Sequence, residues 1–330
     1  MSSNRTALVL GATGGIGGAA AEALLRHGWT VRGMARNADA ARELLPRLDW
    51  RSGDAMNRRD VVDAVHGADV VLHAVNPPNY ANWDKLVLPM IDNTIAAAKA
   101  AGAQIVLPGT IYNYDPVRTP VIAADTPQQP KSRKGAIRVA MEERLAAAST
   151  EVPVLILRAG DFFGPGARAN WFGQAMVKPG QPVRAVSNLD RSGGHSWAYL
   201  PDLAEAMARL IDTGDRLDAF ERVQFAGYCD ETGQGLSDAI ERVVGGRISR
   251  RRFPWWAMRL LSPFGGFPRE AAELAQHWRH PVRLDNARLV ELIGAEPRTP
   301  LDQAVRAALV ELGCLPAETG ASAASIHALP

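Results

Sequence analysis

The chain has 330 residues, 47% hydrophobic and 22% charged, the balance of a soluble globular protein that can bury one large core or two modest ones rather than of a disordered chain. Its 37 basic and 35 acidic residues leave a formal net charge of +2, too weak a global field to hold nucleic acid or a membrane, so small-molecule partners are expected. Cys229 and Cys314 stand far apart, which argues against a disulfide framework or a zinc site, and no signal-length or membrane-spanning apolar run occurs, which points to a soluble cytoplasmic protein.

TALVL, Thr6 to Leu10, is a short apolar run stopped by glycine, the form of a parallel strand buried on both faces. GATGGIGG follows at once, then good helix formers from Ala19 to Arg26, with Gly28 where a helix C-terminal glycine belongs. Gly11, Gly14 and Gly17 are spaced G-x-x-G-x-x-G. Such a turn needs backbone freedom, a pyrophosphate needs close approach, and the helix start offers unpaired N–H groups and a positive dipole end. Strand, glycine turn, helix and second strand in that order predict a dinucleotide site.

Cofactor choice is read at the end of the second strand, TVRGMA, where an acid would bond the ribose 2′-hydroxyl or an arginine would receive a 2′-phosphate. Here Ala35 and Arg36 stand there, with Arg32 on the same strand face, so a bidentate phosphate contact is expected and NADP is preferred to NAD. Asp39 is left as a possible cap of the next helix.

The pattern then alternates. DVVDAVHGA reads as helix, DVVLHAV as strand, Met90 to Ala101 as helix, AQIVLPGT as strand, Arg138 to Ala148 as helix and VPVLILRAG as strand. Alternation of this length implies right-handed crossovers and an α/β fold with a doubly wound parallel sheet of Rossmann type. The Pro-Pro of AVNPPNYANW, between strand and helix, marks a loop at the cofactor edge. There Asn76 is a candidate cofactor contact and Tyr80 or Trp83 a candidate pocket wall, or the aromatics cover the sheet edge.

Along nearly its whole length the chain resembles the extended and atypical short-chain dehydrogenases/reductases, in particular the NAD-dependent epimerase/dehydratase group. GATGGIG is similar to that family's cofactor loop, SGDAMN to its adenine-contacting segment, DNTIAAAKAAG to its Asn-containing helix, LRAGDFFGPG to its substrate-side loop and WAYLPDLAEAMARLI to a late helix. The resemblance implies cofactor contacts from Gly11, Thr13, Gly14, Gly15, Ile16, Gly17, Asp54, Ala55, Ala74 and Asn76. It also implies a small C-terminal substrate-binding domain and a two-fold homodimer. Thr110 in GTIYNY matches the family's serine or threonine, and its hydroxyl would bond a substrate oxygen. Tyr114 matches the aromatic four residues on.

The family's next element is Y-x-x-x-K, in which tyrosine passes the proton and lysine holds the nicotinamide ribose. Counting back from Glu142, this chain has Lys134 in the tyrosine place and Arg138 in the lysine place. A guanidinium still bonds ribose hydroxyls, so cofactor binding is expected to survive. Proton transfer needs a new group. Lys134 is one candidate, if neighbouring cations and burial lower its pKa. Tyr112 and Tyr114 are others, and they share one face if IYNY is extended.

DFFGPGARANWFGQAM and GGHSWAYL are expected to bring Phe163, Trp171, His195 and Trp197 toward one cleft, a mixture suited to an apolar or ring-shaped substrate, with His195 a possible relay. RISRRRFPWWAMRLLSPFGGFP reads as a strand leading into an aromatic lid. QHWRH spaces His277 and His280 like metal ligands, but no carboxylate or cysteine accompanies them and no metal is expected.

The expected organisation is a dinucleotide-binding domain over residues 1–220, carrying a substrate loop around 161–197. A smaller substrate-binding subdomain covers 221–330, with a disordered tail at 316–330. The leading expectation is an NADP-dependent oxidoreductase or epimerase-like enzyme acting on a small carbonyl or alcohol. A non-catalytic NADP-binding redox sensor is the competing one.

Overall fold

A computed structural model of the chain describes residues 5–77, 82–167, 170–189 and 194–317. The first half runs β1 (Thr6–Leu10), α1 (Gly15–Arg26), β2 (Thr30–Ala35), α2 (Ala38–Leu44), β3 (Asp49–Ser52), α3 (Arg58–Val65), β4 (Val70–His73), α4 (Trp83–Ala101), β5 (Gln104–Thr110), β6 (Val121–Ile122), α5 (Arg133–Ala148) and β7 (Val154–Ala159). Then follow β8 (Asp161–Phe163), β9 (Ala185–Asn188), β10 (His195–Tyr199), α6 (Leu200–Asp212), β11 (Phe220–Gln224), β12 (Tyr228–Asp230), α7 (Gly235–Val244), β13 (Ser249–Arg252), α8 (Trp255–Leu261), α9 (Gly266–Leu274), β14 (Arg283–Leu284), α10 (Ala287–Ile293) and α11 (Leu301–Glu311).

Seven strands form one parallel sheet in the order β11-β7-β5-β4-β1-β2-β3. Side chains alternate across it, because successive strand residues point to opposite faces. Ala7, Val9, Leu72, Val106 and Leu155 meet Ala20, Leu24, Leu203 and Met207 of α1 and α6. Leu8, Leu10, Val71, Ile105 and Ile156 meet Val61, Ile91, Met141 and Leu145 of α3, α4 and α5. With both faces covered, the strands read as continuous apolar runs, which is why the sequence identifies them.

The second lobe is built on aromatic side chains. Phe163, Trp171, Trp197, Trp255 and Trp278 share one buried cluster under a three-stranded sheet, β12-β10-β8, and two short strand pairs, β13-β9 and β14-β6. The lobe is not a simple C-terminal block. β11 completes the large sheet across the boundary expected at residue 220, and Leu289 and Leu292 of α10 return to the large-sheet core. Conversely β8, β9 and β10, from within the expected first domain, belong to the second lobe. Most of the expected disordered tail, residues 318–330, lies outside the described residues.

Three local readings change. α4 starts at Trp83, earlier than Met90, because the helix continues through Pro89. α5 starts at Arg133, earlier than Arg138, with the Ser132 hydroxyl accepting from Gly135 N at 2.9 Å as its N-cap. Ile111–Asn113 is a 3₁₀ turn rather than extended strand, and the two tyrosines reach different partners, Tyr112 the Asp161 carboxylate and Tyr114 the Arg158 guanidinium.

The two layers are pinned at the carboxyl edge by a buried charge network. Arg158, at the end of β7, donates to Glu142 of α5 at 2.7 Å and to the Thr110 carbonyl at 2.5 Å. Asn113 and Gln128 also donate to Glu142, at 2.8 and 2.5 Å. Removing one partner of a buried pair leaves an uncompensated charge, so Arg158→Met is expected to cost about 3–5 kcal/mol. The double replacement Arg158→Met with Glu142→Leu should recover a large part of that loss. Urea unfolding of the three proteins tests this, and a single variant as stable as wild type would contradict it.

Candidate dinucleotide and proton-transfer site

The glycine turn is sterically committed to close approach. Gly11 has φ +87°, and a Cβ there would lie 2.7 Å from the Ala74 backbone; a Cβ on Gly17 would lie 2.2 Å from the Gly11 carbonyl oxygen. Gly14 N donates to Gly11 O at 2.9 Å, and α1 begins at Gly15 with no side-chain cap. Exposed Thr13 and Gly14, with Gly15 and Ile16 behind them, thus present an uncapped helix start at the carboxyl edge of the sheet. This cradle fits the pyrophosphate of a dinucleotide.

The flanks are ordered by the backbone. Ala74 N donates to Leu10 O at 2.9 Å, and Asn76 beyond it is exposed. Asn93 of α4 donates to the Ala55 carbonyl at 2.9 Å, while the Asp54 carboxylate accepts from Met56 N at 2.9 Å. Tyr80 lies outside the described residues.

Arg36 is exposed at the end of β2. The nearby acid Asp39 pairs with Arg42 at 2.7 Å, and Asn37 caps α2 through Ala40 N at 3.1 Å, so Asp39 is not the cap. Arg32 does not join Arg36. Its guanidinium donates to the carbonyls of Ala64 and His66 at 2.6 and 2.9 Å and lies 3.5 Å from Asp49. Tying off the end of α3 is its work.

At the carboxyl edge of the sheet, Thr110 ends β5 beside Ala159 of β7, and its Oγ1 accepts from Tyr112 N at 3.5 Å. Tyr114 is buried against Arg158, whose guanidinium lies 5.1 Å from its ring, and burial raises its pKa. Arg138 lies over the Trp83 ring at 5.1 Å, and its charge reaches His73 at the end of β4. The start of α5 presses on the turn, since a Cβ on Gly135 would lie 2.1 Å from the Tyr112 carbonyl oxygen.

Lys134 is held by carboxylates of α9. Its Nζ donates to Glu273 at 2.9 Å and pairs with Glu270, and its backbone N–H also donates to Glu273 at 2.9 Å. Burial lowers its pKa, but the Glu273 carboxylate pulls the other way and stabilises the ammonium. Lys134 thereby joins α5 to α9.

Tyr112 enters a different network. Its hydroxyl donates to Asp161 Oδ1 at 3.0 Å, and Asp161 Oδ2 lies 2.8 Å from His195 Nε2. His195 is 1% exposed and stacks on Trp278 at 3.7 Å, while His277 packs edge-on to Tyr112 at 5.3 Å. Asp161 was not among the residues picked from sequence, because its partners lie 49 and 34 positions away and its own segment reads as a loop. The expected cleft aromatics are buried instead. Phe163 packs on Phe172, Tyr199 and Tyr228, and Trp171 on Phe253, Phe267 and Trp278, so they build the core of the second lobe. Trp197 packs beside that stacked pair, 5.3 Å from His195 and 5.5 Å from Trp278. His277 faces the Tyr114 carbonyl, and among the described residues no group of His, Cys, Asp and Glu forms a metal-binding cluster.

Residues 11–163 match the family described as NAD(P)H-binding. The chain is 31% identical over 303 residues to the 3-diazoavenalumate denitrifying reductase of a Streptomyces species, covering 83% of this chain and 96% of that one. It is 32% identical over 106 residues to aldehyde reductase 2 of Sporidiobolus salmonicolor, covering 29% of this chain and 31% of the relative. Among solved structures, the Bacillus cereus UDP-glucuronic acid 4-epimerase with NAD has a TM-score of 0.71 at 17% identity, covering 93% and 98% of the two chains. The Bordetella bronchiseptica enzyme WbmH with NAD+ has a TM-score of 0.68 at 20% identity, covering 94% and 99%. Both share the fold.

Two histidines of this edge titrate abnormally. Burial, with the Arg138 charge, pulls His73 down to about 3, and burial pulls His277 down to about 4. Below about pH 6.5 the unfolded chain binds protons that the folded chain refuses, so stability falls as pH drops from 6.5 toward 4. The slope is up to about 1.4 kcal/mol per pH unit for each histidine. His73→Gln is expected to flatten the urea midpoint against pH across this window, and an unchanged slope would contradict the assignment.

Proposed function

The chain belongs to the NAD(P)-binding extended short-chain dehydrogenase/reductase family, and from that premise we propose that it is an NADP-dependent reductase. Its substrate is a small carbonyl-type compound, and Tyr112 is its proton donor. Reductase- or epimerase-like function with NAD(P) is common ground with its relatives. The single observation that carries the finer reading is the Tyr112 phenol. It follows Thr110 on the turn after β5, engages a carboxylate and a histidine, and is a proton-bearing group where Y-x-x-x-K is missing.

When bound, the reduced dinucleotide supplies two electrons and a hydrogen to the substrate carbon. The Gly11–Gly17 turn holds its pyrophosphate, Arg36 receives the 2′-phosphate, and Arg138 takes over the ribose contacts of the absent lysine. Preference for NADP is supported by exposed Arg36 and by the engagement of Asp39 with Arg42. The Thr110 hydroxyl donates to the reacting oxygen and stabilises charge there, while the Tyr112 hydroxyl delivers the proton. Lys134 is supported as a structural tie, because two carboxylates hold its ammonium.

The names of the two curated relatives place aldehydes and 3-diazoavenalumate first on a substrate panel, followed by ketones and nucleotide sugars. NADPH should bind more tightly than NADH in fluorescence titration, and Arg36→Ala should abolish the difference. Equal binding by wild type would overturn the NADP preference. For whichever compound oxidises NADPH, Tyr112→Phe is expected to lower kcat by about 10²–10⁴-fold, whereas Lys134→Met should change kcat by less than about tenfold. The reverse ranking would move the proton to Lys134. Intact NADPH binding with no turnover of any compound would favour a redox sensor.

A further inference from the structure

Resting on the reading of Tyr112 as proton donor, we propose that Asp161 and His195 form a buried relay that stores the proton Tyr112 needs and neutralises its phenolate. His195 Nδ1 lies 3.2 Å from the carbonyl oxygen of His277, and Nε2 lies 2.8 Å from Asp161 Oδ2. Both ring nitrogens therefore face acceptors. A neutral imidazole has one N–H and leaves one of these contacts without a hydrogen. The arrangement is satisfied when His195 is an imidazolium against an ionised Asp161, so the cluster holds one proton more than a neutral ring would bring.

The surroundings keep that proton in place. His195 is 1% exposed and the Asp161 side chain 13%. The imidazole lies flat on Trp278, 3.7 Å between centroids at 15°, a cation over an aromatic face. His277, the other titratable ring against Tyr112, is held neutral by burial. Asp230, opposite His195 on the neighbouring strand, is committed to Thr232 and Leu236 N. Gly160 makes the contact possible, because a Cβ there would lie 2.0 Å from the Ser196 carbonyl oxygen and would push β10 away from Asp161.

The step balances. The Tyr112 O–H turns from Asp161 Oδ1 to the substrate oxygen and breaks as the substrate O–H bond forms. The proton on His195 Nε2 passes to Asp161 Oδ2, and the carboxyl turns and returns it to the phenolate, leaving Tyr112 a phenol, Asp161 a carboxylate and His195 neutral. Solvent then returns one proton to the cluster. The hydrogen and electron pair for the substrate carbon would come from the reduced dinucleotide, so each turnover would consume one reduced dinucleotide and one proton. Asp161 and His195 act through Tyr112 and are positioning residues.

The first test needs no substrate. In nitrogen NMR of the full chain with labelled histidine, assigned through His195→Asn, His195 is expected to carry hydrogen on both ring nitrogens at neutral pH. A neutral ring would overturn the relay. Second, the tyrosinate absorbance lost in Tyr112→Phe reports the phenol. His195→Asn should move its titration to higher pH by removing a positive charge, and Asp161→Asn to lower pH by removing a negative one. Shifts of the same sign, or none, would indicate packing alone and overturn the proposal. If the His195 variant does not fold, His195→Gln and the wild-type NMR carry the test.

With a turned-over substrate, His195→Asn should lower kcat about 10–100-fold with KM nearly unchanged. An inactive Tyr112→Phe beside a His195→Asn of unaltered kcat and pH profile would sink the relay and leave the Tyr112 reading standing. A fully active Tyr112→Phe would sink the parent reading whatever the NMR records.

Discussion

Arg158 is fully buried, and its guanidinium ties the last turn of one strand to a neighbouring strand and a helix. It reaches Glu142 of α5 and the carbonyl of Thr110, while Asn113 and Gln128 complete the acceptors of Glu142. A buried pair of this kind contributes little net stability over an apolar filling, but breaking it is expensive. Its consequence is positional. Thr110 and the turn carrying Tyr112 are both fixed relative to a single charged centre.

From that centre the departure from the family pattern becomes intelligible. The start of α5 presses its Gly135 onto the Tyr112 backbone and turns Lys134 toward α9, where Glu270 and Glu273 bind it. A lysine so held is a fastener between lobes. On the other side of the turn, Gly160 lets β8 and β10 approach closely, so Asp161, His195 and the Tyr112 hydroxyl meet. The acid–base candidates have shifted from the helix to the junction of the two lobes, and the aromatic cluster that forms the second lobe supplies the dry wall behind them.

The dinucleotide half was legible in the sequence because its signals are local. A strand, a glycine turn and a helix within the first 26 residues carry their own constraints, and Gly11 and Gly17 prove to be positions where no side chain fits. Thr110 was likewise found at the end of its strand. The rest depends on contacts distant in sequence. Nothing local distinguishes Arg36, left in solvent, from Arg32, consumed by the carbonyls that end α3. The aromatic residues read as a cleft lining because hydrophobic side chains in loops look alike whether they face a ligand or one another. Asp161 stayed hidden because a carboxylate is noticed only beside its partners, and those come from other segments.

Whether the proton comes from α5 or from the Tyr112 turn depends on where the nicotinamide sits. A crystal structure of the NADP+ complex tests it most directly. With Tyr112 as proton donor, the nicotinamide ring is expected beside the Thr110 and Tyr112 hydroxyls, with Lys134 still bound by Glu270 and Glu273. A structure in which Lys134 has left those carboxylates and points its Nζ at the nicotinamide or its ribose would contradict it.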